Sequence, residues 1–356
     1  MKIYEEGNIT WLEMSLPNNF HVHWREIEQL MYTLQYSAMQ FGYTMGMPNL
    51  IEPLINMLRA NSYYDAVQSV KQKQKLAEHS KFYVTGYLTD NTTVEDVKQA
   101  KKSGVILAMK LYPSGATTNS HFGVLDVSKM WPIFAYMEEH DIPLSVHGEV
   151  IIPRVSLYDR ERVFVEIILT EIHRAFPQLR IILEHVSTKE GAQFVQSAPV
   201  NIVGTVTAQH MLCNCNDVYM YPSKNCYPVI NSPADQDAVI IFATSGESSC
   251  FLGTDSAPHA DNIKFCDGGS GGCFTEPYAI PLYLKAFEYA GALDERFEAF
   301  ASFNGADFYG LPRNIAKLRL AKKSQVIARE IMIAKDLYAT PFMAGEILDW
   351  SIDSII

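Results

Sequence analysis

The residues best suited to chemistry begin at Phe20-His21-Val22-His23-Trp24-Arg25. Two histidines one residue apart on a β-strand face the same way and can clamp a metal ion from the strand's end. Further donors recur at intervals too long for a local motif: Lys110, His147, His185 and Asp255. Taken singly, each has an ordinary structural reading, a satisfied core histidine or an aspartate capping a turn. Four imidazoles and a carboxylate converging on one point would instead form a metal site, suited to zinc or a similar borderline ion.

Lys110 fits that set less simply. Within Leu107-Ala108-Met109-Lys110-Leu111 it is buried and costly as an ammonium, which cannot ligate a metal. Its amine either snorkels to the surface or, deprotonated, adds carbon dioxide to form a carbamate whose two oxygens bridge two metals. Side-chain chemistry alone favours the first.

The elements that must position these residues alternate. After the opening strand, Ile27, Leu30, Met31, Leu34 and Met39 mark a helix over 26–42, and a second strand runs to Met47-Pro48-Asn49-Leu50. A helix over 64–79 precedes the alternating Phe82–Leu88 segment. Thr93 with Asp96 forms a capping pair and Gly104 closes the next helix, ahead of the doubly buried run Val105–Tyr112. Helices over 127–140 and 160–176 lead to strands ending at His147 and His185. A short helix follows Lys189, and strands over 201–209 and 250–255 flank a helix opened by Ser232-Pro233. Eight strands alternating with helices predict an α/β fold, a (β/α)8 TIM barrel, with catalytic groups at the C-terminal strand ends. The tail from Glu276 reads as a C-terminal helical extension packed outside, and residues 1–356 as a single domain.

The chain's 356 residues, 48% hydrophobic, can bury one large core. A formal charge of −11 with no basic run argues against nucleic acid or an anionic membrane as partner and leaves a small-molecule substrate. Met1–Glu6 does not read as a signal peptide and no apolar run approaches a membrane span, so a soluble, cytoplasmic protein is expected. Cys213, Cys215, Cys226, Cys250, Cys266 and Cys273 lack a Cys-x-x-Cys pair and are expected as reduced thiols without a catalytic role. The glycine run Asp267–Cys273 is either a flexible surface loop or backbone that closely approaches a ligand.

In order, His21-Val22-His23, Lys110, His147, His185 and Asp255 resemble the amidohydrolase superfamily with a carboxylated lysine. The wording around them is narrower: Met47–Leu50, Lys110–Pro113 with Ala116–Ser120, His147-Gly148-Glu149, Glu184-His185, Gln209-His210 and Gly253–His259 are similar to the dihydroorotase family of short, single-domain type. The similarity runs to Tyr309–Pro312. It implies that His21, His23 and Asp255 hold the more buried of two zinc ions, His147 and His185 the other, with carboxylated Lys110 bridging both. A hydroxide shared by the ions would be the nucleophile and Asp255 the proton shuttle, in the reversible cyclisation of N-carbamoyl-L-aspartate to L-dihydroorotate, a step of pyrimidine biosynthesis.

The resemblance further implies that Arg25, Asn49 and His259 bind the substrate carboxylate, that Thr117 and Thr118 belong to a mobile loop, and that Tyr227 and Gly271 offer backbone contacts to the ring. A homodimer is a further implication. Tyr227 stands where many relatives carry a smaller aliphatic residue, the connection 211–225 is short, and no lysine follows Pro228–Asn231. Two rival readings are an allantoinase- or hydantoinase-type cyclic amidase, and a non-catalytic scaffold homologue, which should have lost ligands.

Overall fold

The computed structural model describes all 356 residues. Eight parallel strands in chain order, Asn19–Val22, Tyr43–Gly46, Lys81–Leu88, Ile106–Leu111, Leu144–Val146, Ile181–Leu183, Ile202–Val206 and Cys250–Leu252, pair each with the next. They are barrel strands one to eight below. The circle closes between strands eight and one through a bridge of Val22 with Ser256, where His23 N–H donates to Ser256 O (2.9 Å) and Asp255 N–H to His21 O (2.9 Å). The seam of the barrel thus runs between the first and last candidate metal ligands.

Local chemistry sets the intervening helices. Thr93 Oγ1 accepts from Asp96 N–H while the Asp96 carboxylate reaches back, and Gly104 ends the helix at φ 70°. Ser232 and Asp235 cap another helix the same way, with Pro233 in its first turn. The helix expected over 64–79 instead spans Met57–Lys73, because Asn56 caps it by accepting from Arg59 N–H. The second strand likewise ends at Gly46, so Met47–Leu50 is the loop above it. Apolar side chains fill the space between strands and helices, and a smaller cluster plugs the barrel: Phe20, Tyr43, Met45, Met47, Ala108, Ile182, Val203 and Phe251. Phe20 stacks on Tyr309 beneath it, ring centroids 4.7 Å apart. That plug leaves the polar residues only the opposite mouth.

The tail differs from the helical expectation. It is helical through Asn304–Phe308, but Lys317–Ala321 and Ser351–Ile355 are strands of an antiparallel sheet with Lys2–Glu6 and Ile9–Ser15. Period-two alternation decides this: Leu318 and Leu320 are buried while Lys317 and Arg319 face outward. The hairpin of the first 15 residues reverses at Gly7, whose φ of 64° suits glycine. Short strand pairs at Gln325–Val326 with Ile347–Leu348, and Ile331–Ala334 with Leu337–Ala339, complete the side structure.

Candidate metal centre

His21 is inside strand one and Lys110 inside strand four, whereas His23, His147, His185 and Asp255 lie one to three residues past their strands. All six are buried. The imidazoles are neighbours: ring centroids are 5.5 Å apart for His21 and His23, 5.1 Å for His21 and His185, and 4.7 Å for His147 and His185. One nitrogen each of His21 and His23 and an oxygen of Asp255 lie within 4.8 Å of one another. Asp255 Oδ1 stands 3.0 Å from His23 Nε2 and 3.3 Å from His21 Nε2. His185 and Asp255 both hold positive φ, 44° and 46°, conformations that cost non-glycine residues energy and that the surroundings must enforce.

Each ligand's orientation has a visible cause. Glu184 accepts from His21 Nδ1 (2.8 Å), from the Ser145 hydroxyl (2.5 Å) and from the Thr205 hydroxyl (2.7 Å), which turns His21 Nε2 toward Asp255. Glu149 Oε2 lies 2.6 Å from His147 Nε2, leaving Nδ1 directed at His185 Nε2, 3.1 Å away. A carboxylate on the far nitrogen is the usual way a ligating histidine is oriented. In the sequence the only trace of this orienting role is a glutamate two residues after His147 and another next to His185.

Electrostatics suit cation binding. Burial, opposed by the bond to Asp255, lowers the His23 pKa to about 4, and burial with neighbouring His147 takes His185 well below its usual value. For His21, burial is the largest single influence and lowers the pKa, but the Glu184 charge together with hydrogen bonds to Asp255 and Glu184 outweighs it, so the pKa is raised. Burial alone would raise the Asp255 carboxyl, yet hydrogen bonds with His21 and His23 hold it well below the usual carboxylate range. Glu184 falls to about 2 because the attraction of His21 and Lys110 overcomes burial.

Lys110 does not snorkel. It is fully buried, its Nζ has no hydrogen-bond partner, and burial lowers its pKa to about 8 against the pull of Glu184 and Asp255. His185 Nδ1 is also buried without a partner. Orphaned donors and acceptors in so polar a pocket call for ligands beyond the chain. His21, His23 and Asp255 therefore fit a divalent cation.

The cavity above is walled by His21, His23, His147, His185 and Asp255 together with Arg25, Asn49, Thr117, Thr118, Tyr227 and Gly271. Tyr112, Ala257 and Gly272 complete the wall. Arg25, at φ 69°, donates from Nε to Pro258 O (2.9 Å) and from Nη2 to His259 Nε2 (2.7 Å). A guanidinium only donates, so His259 accepts as neutral imidazole, in keeping with burial and the Arg25 charge taking its pKa to about 2. His259 thus stands behind Arg25, outside the cavity wall. Asn49 Oδ1 accepts from the Tyr112 hydroxyl (3.0 Å) and its Nδ2 donates to Thr118 O (2.9 Å), tying loop to wall. A Cβ on Gly271 would lie 2.3 Å from Tyr227 Cδ2, so the larger ring at 227 is matched by glycine at 271. That close approach is a steric reason for a glycine within the Asp267–Cys273 run.

No family model matches the chain. It is 42% identical over 346 residues to a mitochondrial dihydroorotase of Oryza sativa subsp. japonica, covering 95% of this chain and 84% of that relative. A dihydroorotase of Shewanella loihica is 40% identical over 348 residues, 97% of this chain and all of the relative. Among solved structures, dihydroorotase from Saccharomyces cerevisiae in complex with 5-fluoroorotic acid superposes with a TM-score of 0.87 at 30% identity, covering 96% of this chain and 98% of that one. An L-hydantoinase from Arthrobacter aurescens shares the fold alone, at TM-score 0.77 and 14% identity over 96% of this chain and 83% of that one. On this identity, carried over nearly the whole length, the chain belongs to the dihydroorotase family of the amidohydrolase superfamily and is a cyclic amide hydrolase.

Proposed function

We propose that the chain interconverts N-carbamoyl-L-aspartate and L-dihydroorotate at this mouth with two zinc ions. His21, His23 and Asp255 would hold one, His147 and His185 the other, and a carbamate on Lys110 would join them. The observation that carries the reading is the buried convergence of four imidazoles and Asp255 on a cavity that Arg25 also lines, together with a buried Lys110 amine that has no hydrogen-bond partner. When bound, such a cation pair supplies Lewis acidity, acidifying water and polarising an amide carbonyl.

The chain's own residues do the rest. Arg25, already aimed by His259 and Pro258, presents its remaining N–H groups to the ligand's free carboxylate. Asn49 adds a donor, its amide orientation fixed because the Tyr112 hydroxyl donates to Oδ1. Thr117 and Thr118 close over the ligand and exclude water, held by the bond from Asn49 to Thr118 O. Tyr227 and Gly271 line the ring with backbone. Asp255, ionised at neutral pH, accepts a proton from attacking water and passes it to the departing ring nitrogen; cyclisation runs the same path backward.

A non-catalytic scaffold predicts lost ligands, and the chain retains all six candidate residues, His21, His23, Lys110, His147, His185 and Asp255. Residues 1–356 as one catalytic unit, a homodimer and a cytoplasmic setting belong to this proposal through the family resemblance; the structure adds only that no helix is long and apolar enough to cross a membrane. Purified, zinc-loaded protein should cyclise N-carbamoyl-L-aspartate and leave hydantoin and allantoin untouched. Intact metal content without that cyclisation would overturn the proposal.

A further inference from the structure

The barrel seam lacks a regular backbone ladder where it is needed most. Between strands eight and one only the short bridge at Val22 and Ser256 joins backbone to backbone, and one level deeper side chains take over. Asn19 Oδ1 accepts from Thr254 N–H (3.0 Å) and His21 N–H (3.2 Å), and Asn19 Nδ2 donates to Thr254 Oγ1 (2.9 Å). Thr254 Oγ1 also lies 3.0 Å from His21 O. One asparagine side chain therefore fixes the backbone entering both His21 and Asp255.

An amide can do this only in one of its two orientations, and a buried carboxylate selects that orientation. Glu276, from the segment before the outer helices, is buried and takes Asn19 Nδ2 at 2.9 and 3.2 Å, Thr254 Oγ1 at 3.0 Å and the Ser37 hydroxyl at 2.6 Å. Its own N–H is held by Ser256 Oγ (2.9 Å). Facing the Asn19 NH2, the carboxylate favours Nδ2 at that position and leaves Oδ1 facing the two backbone N–H groups.

We propose that Glu276 is a positioning residue for the metal centre: through Asn19 and Thr254 it locks the seam that sets His21, His23 and Asp255 relative to one another. This rests on the dimetal reading above. In Glu276→Gln the new amide can donate as well as accept, so Asn19 is free to flip and its hold on Thr254 and His21 is lost. His147 and His185, across the barrel, keep their own Glu149 and strand supports.

The test is stepwise chelator competition on purified zinc-loaded protein at about pH 8.5, where Glu276 is a carboxylate, read by metal analysis, with cobalt-substituted protein giving the absorption spectrum. Glu276→Gln should weaken one of the two ions by about 10- to 100-fold and leave the other unchanged. The cobalt band assigned through a His23→Ala control should be the one that shifts. A merely structural role would lower the melting temperature and leave the two affinities in their wild-type ratio, which would overturn the proposal. Should Glu276→Gln fail to fold, Thr254→Val reads the same lock from strand eight, with the same selective loss expected and an unchanged ratio counting against it. A wild-type protein that binds no ions would refute the dimetal reading instead.

Discussion

Arg25 and Lys110 are the residues whose replacement separates binding from metal assembly. Arg25→Ala removes a buried guanidinium opposed to the ligand carboxylate, a loss of about 2–5 kcal/mol, or at least roughly 30-fold in KM for N-carbamoyl-L-aspartate. Metal content should be unchanged, and steady-state kinetics with metal analysis check both. For Lys110 the pH dependence is informative. The amine must be unprotonated to add carbon dioxide, and its pKa is lowered to about 8, so the free-amine fraction grows as pH rises through that value. Reactivation of metal-stripped protein by zinc at a fixed concentration of dissolved carbon dioxide should therefore quicken between about pH 7 and pH 9, and a flat rate would contradict the carbamate. The burial of Lys110 was legible in its apolar neighbours, but that its amine stays inside, and which imidazole nitrogen Glu149 and Glu184 each hold, could not be read from residue order, because both are properties of the closed barrel.

At the scale of elements, the loop 114–121 is docked by a few polar bonds rather than by packing. Asn49 Nδ2 holds Thr118 O, Asn119 Nδ2 donates to Asn49 O (3.1 Å) and the Tyr87 hydroxyl donates to Asn119 O (3.3 Å). Asn119 has φ 55°, so Asn119→Gly keeps the backbone while deleting one bond, about 1 kcal/mol. KM should rise about fivefold and amide exchange in 114–121 should speed up; unaltered exchange would show that the loop is held otherwise. The barrel helices and strands were legible in the chain because their punctuation is local: Thr93 with Asp96, Gly104, Ser232-Pro233. The strands of the tail were not, since Lys317–Ala321 finds its partner in Ile9–Ser15, some 300 residues away, and a pairing so distant leaves only a short alternation behind.

For the whole molecule, buried histidines whose pKa values are lowered make the metal-free protein sensitive to acid. Five histidines, His23, His79, His185, His210 and His259, have lowered pKa values, and two acids, Glu161 and Glu276, are raised to about 7. Burial comes first among the causes in all seven. A lowered histidine contributes stability above its unfolded value near 6.5 that is lost as pH falls through the folded value. A raised glutamate contributes stability below its unfolded value near 4.5 that is lost as pH rises through 7. Between these limits five protons favour the unfolded chain and two the folded one, a net of three at most, so stability should fall on acidification from pH 6.5 to 4.5. Melting of chelator-treated protein across that range checks the sign, and saturating zinc should raise the melting temperature at each pH, by mass action on the folded state.

The central claim is that one buried mouth holds two ions joined through a modified lysine. Anomalous scattering from crystals of the zinc-loaded protein tests it most directly. Two peaks are expected, one at His21, His23 and Asp255 and one at His147 and His185, with continuous density extending Lys110 Nζ between them; a single peak, or a bare lysine amine, would contradict it.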